Sequence, residues 1–226
     1  MVIVYTMSNY KNHPYYTHQP YFIEILKQTS GNILELGCGE GSTHMIKEQI
    51  RGTGRKLVSL ESNLQWLNKY THLADDFHAL HHVNADNNDT IATGNVWVDF
   101  IREKQLNDFE IVFVDSSPWS SRKTCFDYFL DKAKIIIFHD FDYFPNNNII
   151  GRTTSTHRTY HNNQLQERIT CNLDSVVRHY KLFYPPPNCF PGHTGPPTLV
   201  CSNIMEEAEF NAMIATMESN MASYYQ

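Results

Sequence analysis

Five short apolar runs recur along the first part of the chain: "ILEL" at 33–36, "LVSL" at 57–60, "HHV" at 81–83, "IVFV" at 111–114 and "IIIF" at 135–138. Each of the first four is followed by a polar segment long enough for a helix. Strands exposed on one face alternate apolar and polar residues, whereas strands covered on both faces read as continuous apolar runs. The rhythm of run, crossover and run therefore predicts a parallel α/β sheet of the doubly wound kind.

The flanking segments complete a single domain over 1–226, with an N-terminal segment and helix over 1–30, a core over 31–145 and a closing region over 146–226. "QPYFIEILKQT" (19–29) starts with a proline, pairs Tyr21 with Ile25 and Phe22 with Leu26 at i,i+4 spacing, and predicts an amphipathic helix. The Asn-rich stretch 145–170 is too poor in apolar residues for a core and is expected to be a long loop or lid. Beyond it, "LDSVVRHYKLFY" predicts a short helix running into a strand, and "PPTLVCSN" a strand entered through prolines. Paired as a hairpin, these two strands would close the sheet. In the tail, Phe210, Met213, Ile214, Met217 and Met221 fall at helical spacing, a stripe suited to core packing or to a homo-oligomer contact through the C-terminal helix.

Composition excludes several classes. The chain has 226 residues, 41% hydrophobic, with a formal charge of −6 and no block of Lys or Arg, so no basic footprint for nucleic acid or an anionic membrane is present. A small-molecule partner is expected. Five scattered cysteines without a C-x-x-C pair argue against a disulfide framework and a structural zinc site, and a reducing, cytoplasmic location is expected. No stretch approaches the roughly 20 apolar residues of a membrane-spanning helix, and the short apolar run at the opening is not expected to act as a signal peptide.

The sharpest local pattern is "NILELGCGEGS", a strand running into Gly37, Gly39 and Gly41 and then into a helix-like segment. Glycines there let the backbone turn tightly and approach a ligand beside a helix N-terminus. A dinucleotide-binding turn has G-x-G-x-x-G, which would put its third glycine at Ser42. Here the spacing is G-x-G-x-G with Glu35 two residues before it, which suits a cationic ligand better than a pyrophosphate.

"ELGCGEGS" resembles the first motif of the class I S-adenosylmethionine (SAM) dependent methyltransferases. The resemblance implies a Rossmann-like, seven-stranded, mostly parallel sheet with helices on both faces, and SAM as cofactor. It places Glu35 near the methionine ammonium, Glu61 of "LVSLES" on the ribose hydroxyls and Asp86 of "HHVNADN" near the adenine amino group. The implied cofactor set is Glu35, Gly37, Cys38, Gly39, Gly41, Glu61, Ser62, Asp86, Asn87 and Asp115.

Asp115 ends "IVFVD" and Asp140 ends "IIIFHD", on strands that neighbour each other in the class I order, so both are expected in one cleft. Two close carboxylates repel unless one holds a proton or a cation lies between them. Mg²⁺ on Asp115 and Asp140, with Asp142 as a third oxygen ligand, is the expected resolution. Strand alternation points His139 away from Asp140, leaving it as either a catalytic base or a buried histidine.

"FVD" and "FHD" resemble the corresponding strand ends of metal-dependent O-methyltransferases of the catechol type and the sugar type that tailors macrolides. The resemblance implies methylation of a hydroxyl on a small acceptor, a sugar or sugar nucleotide. The sugar branch's Gly and His after the first aspartate are replaced by Ser116 and Ser117, its Pro-Gly-Gly turn by "DKAK", and the catechol type's Asn by Phe141. Ser117-Pro118-Trp119 partly echoes the Asp/Asn/Ser-Pro-Pro-aromatic motif of DNA amino-methyltransferases, the rival enzyme class. A degenerate SAM-binding fold acting as an interaction protein, and an NAD-dependent oxidoreductase, are the remaining alternatives. Tyr15, Tyr16, His18 and Tyr143 are candidates for an acceptor pocket or for plain packing.

Overall fold

The computed structural model describes residues 16–88, 90–141, 154–161, 164–184 and 197–225. The strands are β1 (Ile33–Leu36), β2 (Leu57–Glu61), β3 (His78–His82), β4 (Ile111–Val114), β5 (Ile135–His139), β6 (Thr154–His161), β7 (Gln164–Asn172), β8 (His179–Phe183) and β9 (Thr198–Ser202). The helices are α1 (Gln19–Lys27), α2 (Thr43–Ile50), α3 (Leu64–Leu67), α4 (Ile91–Glu103), α5 (Trp119–Phe129), α6 (Leu173–Val176) and α7 (Glu207–Tyr225).

The apolar runs form the middle of a seven-stranded sheet in the order β3-β2-β1-β4-β5-β9-β8. The first five strands are mutually parallel, and β9 runs antiparallel to both β5 and β8. Alternate residues enter opposite cores. Ile33, Leu57, Phe113, Ile137 and Val200 pack with α1, α2 and α7 on one face. Leu34, Leu60, Val112, Phe138 and Leu199 pack with α4 and α5 on the other. Burial on both sides is why these strands carry no polar alternation. Truncating a fully buried ring such as Phe113 to Ala would cost about 3–5 kcal/mol.

The helix ends follow local rules. Pro20 opens α1, Asn63 Oδ1 accepts from the Trp66 amide at the start of α3, and the Thr90 hydroxyl accepts from the Thr93 amide at the start of α4. The stripe on α7 is spent within the chain: Phe210, Met213, Ile214 and Met217 are buried in the first core, with Met221 packed against it. Its last turns are fixed by the buried Glu24 of α1, which accepts from the Tyr224 hydroxyl and from Asn220 Nδ2 at 2.7 Å.

Two expectations shift. The third strand is His78–His82 rather than 81–83, because His78 turns inward and its Nε2 lies 2.9 Å from the Ser59 hydroxyl. The segment expected to be one long loop contains the antiparallel pair β6 and β7, outside the main sheet. Its Thr, Tyr and Ile residues are strand formers despite the low apolar content. Residues 142–153, including Asp142 and Tyr143, and Tyr15 lie outside the described residues. Among the described residues, no helix is long and apolar enough to cross a membrane.

Candidate functional site

The sheet order reverses between β1 and β4, and the crevice beyond the carboxyl ends of such strands is where open α/β sheets hold ligands. Leu36 is in register with Val114, and Val114 with Phe138, so Gly37, Asp115 and His139 follow at one level. The Gly37 amide donates to Leu60 O and the Asp115 amide to Leu36 O, both at 2.8 Å. Gly37 has φ +96°, and a Cβ there would lie 2.4 Å from the Asp115 carbonyl oxygen. The first glycine is thus required by the neighbouring strand end as well as by the turn.

Asp140 leaves β5 in the left-handed region, φ +56°, which reverses the alternation expected of a strand. His139 and Asp140 consequently share one cleft. His139 Nδ1 lies 3.3 Å from Asp115 Oδ2, within ion-pair distance though not aligned as a hydrogen bond, and Nε2 lies 3.5 Å from Asp140 Oδ1. Nε2 also meets the Thr17 hydroxyl at 3.3 Å. Burial pulls the imidazole pKa down, but the Asp140 and Asp115 carboxylates outweigh it and hold it above the ordinary histidine value. His139 is therefore not satisfied by backbone alone; it is flanked by carboxylates.

No sequence pattern singled out Arg122, on the first turns of α5. Its Nη2 pairs with Asp115 Oδ1 at 2.8 Å and its Nη1 with Asp140 Oδ2 at 3.1 Å. It also donates through Nε to Ser116 O at 2.7 Å, through Nη1 to His139 O at 3.0 Å and, more weakly, through Nη2 to Asp115 O at 3.4 Å. Burial raises the Asp115 pKa, but Arg122 and then His139 overcome this and hold it down at about 2. Both carboxylates are partly open to the cleft, at 20% and 16% exposure.

The cation expected between the carboxylates is thus a guanidinium. Asp115, His139 and Asp140 do offer three donor atoms within 4.8 Å of one another. A hard dication favours oxygen ligands, yet one of these donors is an imidazole nitrogen, and each carboxylate already commits an oxygen to Arg122. The residues present do not fit Mg²⁺ while Arg122 holds this position.

A cavity of about 350 Å³ opens over this cluster, lined by Cys38, Gly39, Glu40, Gly41 and Ser42 of the glycine turn, by Tyr16, His18 and Trp66, and by Asp115, Arg122, His139 and Asp140. His18 is buried, and a Cβ on Gly41 would lie 2.6 Å from the Tyr16 ring, so this glycine admits the aromatic wall. Trp66 Nε1 donates to Cys38 O at 2.7 Å. Trp119, the aromatic residue after Pro118, does not line the cavity; its ring lies over Arg122, 4.2 Å from the guanidinium carbon.

The acids implied for the cofactor are placed unevenly. Glu35 is fully buried beneath the turn, accepting from Thr43 Oγ1 at 3.0 Å and Ser59 Oγ at 2.6 Å. Burial pushes its pKa up to about 7 against the hydroxyls of Ser42, Ser59 and Thr43. Glu61 accepts from the amides of Cys38 at 3.0 Å and Asn63 at 2.7 Å, and burial raises its pKa against these bonds. Ser62 Oγ donates to Ser117 O at 3.1 Å, tying β2 to the β4 end. Asp86 and Asn87 are not buried, and Asp86 accepts from the Asn88 amide and the Thr93 hydroxyl, both at 2.9 Å. None of Glu35, Gly37, Glu61, Ser62, Asp86 or Asn87 lines the cavity, whereas Cys38, Gly39, Gly41 and Asp115 do. Glu40, inside the quoted motif, lines it as well.

Four of the turn's amides are already bonded within the protein. Those of Cys38, Gly39, Ser42 and Thr43 donate within the protein, to Glu61, the Thr43 hydroxyl and Gly39 O. They present no row of donors to a pyrophosphate, and the lining carboxylates suit a positively charged cofactor. The donor chemistry at the turn fits SAM, whose sulfonium and ammonium are cationic.

Strand order 3-2-1-4-5 with a closing antiparallel hairpin and a glycine turn after β1 decides the architecture. The chain has the Rossmann-like class I methyltransferase fold. Among solved structures, this fold aligns with spermidine synthase from Thermotoga maritima at TM-score 0.54 and 10% identity, over 95% of this chain and 75% of that one. It also aligns with spermidine synthase in complex with the transition-state analogue AdoDATO at TM-score 0.53 and 9% identity, over 94% and 75%. The methyltransferase domain of bacterial CtHen1-C aligns at TM-score 0.40 and 10% identity, over 83% and 96%. No protein-family model and no curated protein matches the sequence.

Proposed function

We propose that this class I methyltransferase fold carries out SAM-dependent methyl transfer to a hydroxyl of a small acceptor, a sugar or sugar nucleotide. The observation that carries the reading is His139 set between Asp115 and Asp140 on the wall of the cavity that the glycine turn borders.

Bound SAM supplies an electrophilic methyl group on its sulfonium. An acceptor hydroxyl that received this methyl group would have to lose its proton. His139 is positioned to take it, because the two carboxylates stabilise the imidazolium that forms. Arg122 holds both carboxylates in place. Tyr16 and Trp66 offer ring faces on which a sugar can stack, while Glu40, Asp115 and Asp140 offer acceptors for its hydroxyls.

The same lining favours a second reading, an amine acceptor. Three carboxylates face the cavity against one guanidinium, which suits a cationic amine as well as a polyol, and two fold neighbours are spermidine synthases. Incubation with methyl-labelled SAM and parallel panels of sugars, sugar nucleotides and polyamines tests both. Label in a sugar supports the first reading, and label in an amine the second. Label in neither, with SAM bound, leaves the degenerate binding fold.

A further inference from the structure

We propose that Arg122 is a built-in substitute for a metal ion, a guanidinium fixed between Asp115 and Asp140 that lets this cleft work without a divalent cation and blocks one from binding. Arginine has five N–H donors in a rigid plane. Here five acceptors surround them: Asp115 Oδ1, Asp140 Oδ2 and the carbonyls of Ser116, His139 and Asp115. Four of these contacts are hydrogen bonds and the fifth, to Asp115 Oδ1, is an ion pair at 2.8 Å, so protein atoms hold the guanidinium on every side and Arg122 is a positioning residue rather than a ligand-binding one.

A dication on the same carboxylates would sit in contact with a permanent positive charge. To take the place between the carboxylates it would have to displace Arg122, leaving three backbone carbonyls without their donor and the guanidinium without its carboxylates. The side chain is also hard to move. It is 11% exposed, rises from the first turns of α5 and is faced by Trp119, 4.2 Å away. Where a metal would be exchangeable, this cation is covalently part of the chain, and it ties the ends of β4 and β5 together through three main-chain bonds as well as two ion pairs.

This role for Arg122 stands on side-chain geometry alone, so a failure to find methyl transfer overturns the proposed function and leaves it intact. The test is Mn²⁺ binding followed by electron paramagnetic resonance on the full chain, for the wild type, Arg122→Gln, Arg122→Lys and Arg122→Gln combined with Asp115→Asn. The wild type and Arg122→Lys are expected to bind no stoichiometric Mn²⁺. Arg122→Gln, having lost the charge, is expected to bind one Mn²⁺ at least about tenfold more tightly than the wild type, and the added Asp115→Asn to abolish it. One Mn²⁺ on the wild type that Asp115→Asn removes would overturn the proposal, as would an Arg122→Gln protein that binds no better than the wild type. Should Arg122→Gln fail to fold, the wild type compared with Asp115→Asn decides the point.

Discussion

The rings of His18 and His139 meet edge to face, with centroids 4.4 Å apart and planes at 65°. Their environments pull them in opposite directions. Burial, and then the neighbouring His139, drive the His18 pKa well below the ordinary histidine value. The carboxylates of Asp140 and Asp115 lift His139. Of the two rings, His139 is the one that keeps a proton to the higher pH, and a transfer reaction that uses it as base needs it deprotonated.

The rate of transfer is therefore expected to rise with pH through a midpoint above 6.5, the unperturbed histidine value, because only the deprotonated imidazole accepts a proton. His139→Asn should lower kcat by about 10²- to 10⁴-fold and flatten this limb, as read from initial rates at saturating SAM. A rising limb that survives in His139→Asn would assign the base elsewhere.

Arg122→Ala leaves two partly buried carboxylates without their counter-charge. Breaking such a pair costs about 3–5 kcal/mol in a fully buried setting, and the exposure of Asp115 and Asp140 places this site near the lower end. Urea unfolding should show a lower midpoint than the wild type. An unchanged midpoint would mean that solvent screens the cluster.

Gly37→Ala sets a Cβ 2.4 Å from the Asp115 carbonyl oxygen at φ +96°. The backbone conformation alone costs about 1–2 kcal/mol, and the contact must be relieved by moving Asp115. Loss of transfer larger than the loss of stability is expected from thermal melts paired with kcat/KM. Equal losses would detach Gly37 from the site.

Glu35 gives a pH signature in stability. Its pKa is about 7 in the folded chain against 4.5 as the unperturbed value, so the unfolded state releases the proton first. The associated stability is complete below 4.5 and declines as pH rises through about 7, by about 3 kcal/mol in all. Glu35→Gln should remove that slope from unfolding curves taken between roughly pH 5 and pH 8. A wild-type slope that persists in the variant would point to another group.

The doubly wound sheet was readable because strands buried on both faces must be apolar at every position, as "IVFV" and "IIIF" are. Asp115 and Asp140 were placed in one cleft by strand adjacency, a property of topology. Their partner Arg122 was not readable, because a single arginine in "SSRKT" carries no periodic signal and its role exists only once α5 lies beside both strand ends. The orientation of His139 failed for a local reason: alternation ends where Asp140 turns left-handed. Tyr16 and His18, named from the sequence as candidates for a pocket or for plain packing, both line the cavity, reached from the segment preceding α1. Conversely, strand-end acids are common as caps, and Asp86 takes that part, holding the Asn88 amide and the Thr93 hydroxyl.

Calorimetric titration of SAM into the full chain tests the central claim most directly, since the proposed chemistry requires that cofactor beside the glycine turn. The account predicts binding at one site per chain, weakened in Asp115→Ala, with no heat from NAD. Absence of SAM binding, or NAD bound in its place, would contradict it.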